Sequence, residues 1–136
     1  LLLDSKTTVD GAPKDPAQVK RVVLCSGKVY FDLEEERELK KADHVAIVRM
    51  EQLYPLDPAE IRAALSPYAD GTDLVWVQEE PRNYGAFYYM NAVLPQLLHH
   101  RFPLSCVARA PSASPATGSR SSHLLEQKIL MDEAFI

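Results

Sequence analysis

The sequence predicts an α/β domain built on a mostly parallel sheet with helices on both faces. Three observations carry that expectation. Four short runs, residues 22–25, 45–48, 74–77 and 104–108, are almost continuously apolar, whereas a strand with one wet face would alternate. Each of the first three runs leads through a polar turn into a helical pattern, the strand–helix grammar of a parallel sheet. Gly, Asp and Pro punctuate the junctions, closing one element before the next begins.

Residues 1–20 read as an irregular arm or linker, marked by turn signals at Asp10-Gly11, Ala12-Pro13 and Asp15-Pro16, and the domain proper is expected over 21–136. The arm's character, and Leu1 at the first position, suggest a fragment of a longer chain. Val22, Val23, Leu24 and Cys25 form the first strand, and Ser26-Gly27 turns into a helix over 29–42. Glu34, Glu35 and Glu36 precede Arg37, Lys40 and Lys41, so acid comes early and base late, as the helix dipole favours. Val29, Tyr30 and Leu33 are expected to face the sheet, and the charge run to face solvent.

The second strand opens at Val45 and the chain runs through Arg49 to Tyr54, where Pro55 breaks it. Asp57 suits a helix N-cap with Pro58 at the first helical position. Ile61, Ala64, Leu65 and Tyr68 then follow at i, i+3, i+4 and i+7, one apolar stripe. Asp70-Gly71 stops that helix. Residues 74–77 form the third strand, with Gln78 to Pro81 as its polar exit. From about 84 to 100 the chain is apolar on nearly all sides, through Phe87, Tyr88, Met90, Val93, Leu94, Leu97 and Leu98. Such a helix needs covering twice, so an interface is expected there. A fourth strand over 104–108, a Ser/Ala/Pro-rich loop over 110–122 and a closing helix over 124–134 complete the chain.

At 136 residues the chain suits one core. A net charge of −4 argues against nucleic acid or an anionic membrane as partner, since either wants a basic stripe. No apolar run approaches the roughly 18–20 residues of a membrane span, and Leu1–Leu3 is too short for a signal-peptide core. Cys25 and Cys106 fall in strand-like runs and read as small buried hydrophobes. No CxxC pair or His/Cys spacing suggests zinc, and no metal site is expected.

Parallel sheets bind ligands beyond the carboxyl ends of their strands. Those ends are Ser26-Gly27-Lys28, Glu51-Gln52, the segment from Glu79 to Asn83, and Arg109-Ala110-Pro111. Ser26-Gly27-Lys28 reads either as a plain tight turn or as an anion site at a helix N-terminus; it is too short for a P-loop, and there is no GxGxxG. Glu79, Glu80, Arg82 and Asn83 are the densest polar cluster. Successive strand residues point to opposite faces, so Glu79 and Glu80 suit ion pairing or an interface better than acid–base catalysis. His99 and His100 suit a helix C-terminus, His44 and His123 have no evident partners, and Arg120 among small residues could meet a phosphate. No nucleophile–base pair is legible, so no catalytic residue is assigned.

Four phrases carry a family resemblance: VLCSGKVYFDL (23–33), VAIVRMEQLYPL (45–56), WVQEEPRNYGAF (76–87) and SASPATGSRSSHLLEQKILMDEAF (112–135). From residue 19 to the end the chain resembles the C-terminal domain of the 2-oxoglutarate dehydrogenase E1 component. The resemblance implies a transketolase C-terminal-domain-like fold, a mostly parallel five-stranded sheet that contributes to a homodimer.

It also implies a parent enzyme of the tricarboxylic acid cycle. That enzyme decarboxylates 2-oxoglutarate on thiamine diphosphate and passes the succinyl group to lipoyl-lysine of the E2 component of a multienzyme complex. A related E1 acts on 2-oxoadipate. In the family, thiamine diphosphate and magnesium are bound by upstream domains. The GDG and NN phrases that hold them are missing here, so no cofactor is expected in this segment. Expected partners are the preceding domains, a second E1 subunit and E2, in bacterial cytoplasm or the mitochondrial matrix. Some actinobacterial relatives bind acetyl-CoA partly through this domain, which would draw on Ser26, Lys28, Glu79, Arg82 and Asn83. The alternative is a free-standing module that senses a CoA- or nucleotide-like anion.

Overall fold

Residues 15–114 and 118–136 are described by the computed structural model, with the backbones of two short antiparallel strands, β1 (Thr8–Val9) and β2 (Ala12–Pro13). Leu1–Leu3, the Asp10-Gly11 turn and Thr117 lie outside the described residues. A single 3₁₀ turn (Pro16–Gln18), capped by the Asp15 carboxylate on Ala17 N at 2.9 Å, leads into the main sheet. There follow β3 (Arg21–Cys25), α1 (Val29–Leu39), β4 (Val45–Arg49), α2 (Pro58–Leu65), β5 (Asp73–Pro81), α3 (Phe87–Leu97), β6 (Leu104–Arg109) and α4 (Arg120–Ala134).

The apolar runs pair as their pattern requires. The sheet is parallel throughout in the order β4-β3-β5-β6, with Val23 in register with Ile47 and Val75, and Trp76 with Cys106. Successive side chains leave by opposite faces, and the two halves of each run therefore feed two cores. Val22, Leu24, Ala46, Val48, Leu74 and Trp76 pack with Ile61 and Leu65 of α2 and Met90 and Leu94 of α3. Val23, Cys25, Val45, Ile47, Val75 and Val77 pack with Val29 and Leu33 of α1 and Leu130, Met131 and Ala134 of α4. Each fully buried Leu, Val or Met contributes about 1.5–3 kcal/mol, so helices on both faces are a consequence of strands apolar on both sides.

Four strands form this sheet among the described residues, where the family resemblance implied five; β1 and β2 pair with each other instead. α1 stops at Leu39 rather than Ala42, because Lys41 takes a left-handed conformation (φ 51°) and Ala42 N donates back to Arg37 O. Arg37 is also not part of a wet face: it is buried and donates to Val45 O at 3.3 Å. β5 runs on through the expected polar exit, since Arg82 N continues the ladder to Arg109 O past a register shift. α4 begins at Arg120, four residues earlier than expected, because Ser119 caps it by accepting from Ser122 N at 3.2 Å.

The apolar helix α3 is half covered. Phe87, Met90 and Leu94 are buried, while Tyr88 is 58% exposed and Tyr89, Val93 and Leu97 are partly open. Tyr54, 80% exposed after β4, lies with its ring centroid 6.2 Å from that of Tyr89 and extends this apolar surface.

Candidate functional site

Parallel strands bring their carboxyl ends to one rim, and a groove of about 540 Å³ opens there. Lys28 enters from the turn after β3, Glu79 and Glu80 from the end of β5, and Arg109 from the end of β6. Ser119, Arg120, His123, Glu126 and Gln127 line it from the first turns of α4.

Most of these charges are already paired. Lys28 Nζ contacts Glu79 Oε1 at 2.8 Å, and that hydrogen bond raises the Lys28 pKa above its ordinary 10.5. Gln127 Nε2 donates to the same Glu79 oxygen at 3.4 Å and to Asp32 Oδ2 at 3.1 Å. Arg109 donates from Nε to Glu79 O at 2.7 Å and from Nη1 to Glu126 Oε2 at 3.2 Å. Arg120 lies exposed at the N-terminal end of α4, and its side chain has no hydrogen-bond or ion-pair partner among the described residues. Lys28, Arg109 and Arg120 face Glu79, Glu80 and Glu126, so the groove is close to neutral and a bound anion must compete with carboxylates.

The sequence cluster separates in space. Lys28 and Glu79 meet, with Ser26 half-buried between β3 and their turn. Arg82 turns elsewhere: its Nη2 donates to Cys106 O at 3.1 Å and its guanidinium stands 5.6 Å from the Phe87 ring. There it lines a second groove of about 440 Å³ with Arg109, Glu126, Ile129 and Glu133. Asn83 is a loop clamp, donating to Ser112 O (2.7 Å) and accepting from Ser112 N (2.9 Å). Tyr84 reinforces it through its hydroxyl to Ala113 O at 2.8 Å.

Sequence reasoning missed Glu126 and Gln127, which lie on a helix whose rotation over the sheet is set by packing. It also passed over Gln78, which is 3% exposed. Gln78 Oε1 accepts from Trp76 Nε1 (3.0 Å) and Phe87 N (3.1 Å), while its Nε2 donates to Pro81 O (2.9 Å) and Tyr84 O (2.8 Å). A polar residue directly after a four-residue apolar run was the available signal, since a buried amide needs its partners supplied.

Burial raises the Cys106 thiol to about 11, against a smaller opposing pull from Arg82, so it is a poor nucleophile. Among the described residues no group of three or more His, Cys, Asp or Glu is placed to hold a metal ion. No described helix is long and apolar enough to cross a membrane. At this rim the described charges Lys28 and Arg109 are paired with Glu79 and Glu126.

Residues 2–135 match the 2-oxoglutarate dehydrogenase C-terminal family. The 2-oxoglutarate dehydrogenase E1 component of Haemophilus influenzae is 48% identical over 120 residues, covering 88% of this chain and 13% of that protein. The E1 component of Azotobacter vinelandii is 42% identical over 125 residues, 89% of this chain and 13% of that protein. The mitochondrial 2-oxoglutarate dehydrogenase-like protein of Xenopus laevis is 41% identical over 125 residues, 91% of this chain and 12% of that protein. The chain therefore spans 12–13% of the length of these relatives. With its parallel sheet, its flanking helices and its sequence matched over residues 2–135, the chain belongs to the 2-oxoglutarate dehydrogenase C-terminal family.

Proposed function

We propose that this chain is the C-terminal structural and dimer-forming domain of a 2-oxoglutarate dehydrogenase E1. In this reading residues 1–20 are an arm joining residues 21–136 to preceding domains. The full chain decarboxylates 2-oxoglutarate and transfers the succinyl group to lipoyl-lysine of E2, in bacterial cytoplasm or the mitochondrial matrix. The observation that carries the reading is the family match over residues 2–135, joined to relatives named as E1 components. Bound thiamine diphosphate supplies the electron sink for decarboxylation. The GDG phrase followed by NN that the family resemblance ties to its magnesium does not occur in these 136 residues. The cofactor's ligands are assigned to the preceding domains, and no step is routed through this chain.

Within the parent, the open face of α3 with Tyr54, Tyr88 and Tyr89 is the surface for the second E1 subunit. The groove at the sheet's rim is the place for a regulatory anion of the CoA or nucleotide class. Unpaired Arg120 supports this, with Lys28 and Ser26 beside the α1 N-terminus and Glu79 as the competing anion. Arg82 and Asn83 act one step back, by holding the loop that follows β5 to Cys106 and Ser112.

The test is to purify the parent polypeptide that contains the WVQEEP phrase and assay it with thiamine diphosphate and magnesium. Decarboxylation of 2-oxoglutarate well above that of 2-oxoadipate is the expected result. Preference for 2-oxoadipate would move the substrate, and no turnover of either would sink the enzyme reading. Lys28→Glu in the same protein should weaken CoA and AMP binding about tenfold, the effect of one lost charge contact of about 1.4 kcal/mol. Unchanged affinity would remove the anion site.

A further inference from the structure

The turn between α2 and β5 holds the one Asp-Gly pair among the described residues, Asp70-Gly71. Thr72 N donates to Ala69 O at 3.1 Å, which closes a four-residue turn with Asp70 and Gly71 at its centre. Gly71 has φ 84° while Asp70 keeps a negative φ, the pattern of a type II turn. The backbone alone demands glycine there, since a Cβ at position 71 would meet nothing within 4 Å. Both residues are exposed to water.

An Asp-Gly pair is chemically fragile, because glycine has no side chain to shield its nitrogen. The Gly71 nitrogen can attack Asp70 Cγ. A C–N bond then closes a five-membered succinimide, and the amide proton leaves with the carboxyl oxygen as water. Water later reopens the ring. Addition at the side-chain carbonyl restores aspartate, and addition at the main-chain carbonyl leaves isoaspartate, with the chain routed through Cβ.

Arg101 opposes both halves of that step. Its Nε pairs with Asp70 Oδ1 at 2.5 Å, and its main-chain oxygen accepts from Gly71 N at 2.8 Å. One residue therefore holds the electrophilic group and the attacking nitrogen apart. The guanidinium is itself anchored: Nη2 donates to Tyr68 O at 2.8 Å, and Cζ stands 4.8 Å from the centroid of the buried Phe102 ring. Exposed ion pairs usually contribute little because both side chains must be ordered. Here a carbonyl and a ring already order the arginine.

We propose that Asp70-Gly71 is a site of spontaneous isoaspartate formation whose rate Arg101 holds down. Conversion adds a backbone atom just ahead of Asp73, the first residue of β5 and the partner of Arg21. β5 lies inside the sheet, between β3 and β6, so a lengthened turn there loosens the fold at its centre. The inference stands apart from the rim groove and from the substrate of the parent.

The test incubates the full parent polypeptide at neutral pH for several weeks, as wild type, Arg101→Met and Arg101→Lys. Isoaspartate at position 70 is read by fragmentation mass spectrometry of the tryptic peptide 63–82. Wild type unfolded in urea gives the unguarded rate. Folded wild type is expected to convert about tenfold more slowly than in urea or slower still, and Arg101→Met to regain about tenfold, the effect of releasing one charge-assisted hydrogen bond. Arg101→Lys keeps a cation but loses the planar fork that also reaches Tyr68 O, so its rate should fall between the two.

Folded wild type that converts as fast as in urea would overturn the proposal. So would Arg101→Met that melts cooperatively yet converts at the wild-type rate. If Arg101→Met does not fold, Arg101→Lys decides: a faster rate than wild type supports the guard, and an equal rate overturns it.

Discussion

Gln78 Oε1 lies 2.9 Å from the point where a Cβ on Gly85 would stand. The loop between β5 and α3 therefore folds around the Gln78 amide so closely that only glycine fits, and Gly85 also needs the freedom to adopt φ 69°. That one amide joins the Trp76 indole, the start of α3 and the turn that follows Glu79.

Gly85→Ala is expected to destabilise the fold by about 2–4 kcal/mol, combining left-handed strain with the displacement of buried hydrogen bonds. Gln78→Leu should fall in the same range, because it strands the Trp76 and Phe87 donors and the Pro81 and Tyr84 carbonyls. Denaturant midpoints with unchanged slope check both. A loss below about 1 kcal/mol would mean that the loop repacks freely.

Arg21 ties the first strand to the last helix. It pairs with Asp73 at 2.7 Å and donates from Nη1 to Glu133 O and Ala134 O, each at 3.1 Å. Asp73 is partly exposed, so the ion pair contributes little and the carbonyl contacts at the end of α4 more. Arg21→Met should cost about 1–2 kcal/mol and speed amide exchange selectively over residues 130–135. Uniform acceleration along the chain would instead point to a global loss.

Cys106, with its pKa near 11, should resist alkylation at pH 8, where about one thiol in a thousand is ionised. Labelling measured by mass should rise steeply only as pH approaches 11. Fast labelling at pH 8 would show that strand β6 opens readily.

Lys28 has a raised pKa in the fold, so its contribution to stability is complete below 10.5 and is lost as pH rises through the folded value. The gap in thermal midpoint between wild type and Lys28→Met should stay constant through neutral pH and close above pH 10.5. A gap that closes near neutrality would place its origin elsewhere.

Tyr88→Asp in the parent should leave its thermal unfolding close to wild type while shifting its mass in light scattering from dimer to monomer. Leu94→Asp is the folding control, because Leu94 is fully buried and a charge there disrupts the core. Intact Tyr88→Asp dimers would remove α3 from the subunit contact.

The strands, the order of elements and the inward faces of α1 and α2 were legible in the sequence. Val29, Tyr30 and Leu33 face the sheet and Asp57 caps α2 through Ala59 N and Glu60 N, whereas of the late bases Arg37 is buried and Lys40 and Lys41 fall beyond the end of α1. The site was legible only in part. The switch-point argument singled out the strand ends that carry Lys28 and Glu79, and the two side chains meet at 2.8 Å. It could not show that Arg82 and Asn83 are consumed by backbone carbonyls, because loop hydrogen bonds depend on where chain segments 24–29 residues apart come to lie.

What the sequence alone determined is the set of local choices: which runs bury both faces, and where Asp57 and Pro58 start a helix; the stop expected at Asp70-Gly71 is not one of them, since α2 already ends at Leu65. These follow from side-chain periodicity and backbone sterics over a few residues. Only the tertiary structure decided that Arg37 is buried, that Arg49 Nε has no hydrogen-bond partner among the described residues, that Gln78 anchors a loop and that α4 completes the groove. Those outcomes turn on the register of β3 against β4 and β5 and on the rotation of α4 over the sheet. Register and rotation are settled by many weak packing contacts acting together, so no short stretch of chain encodes them by itself.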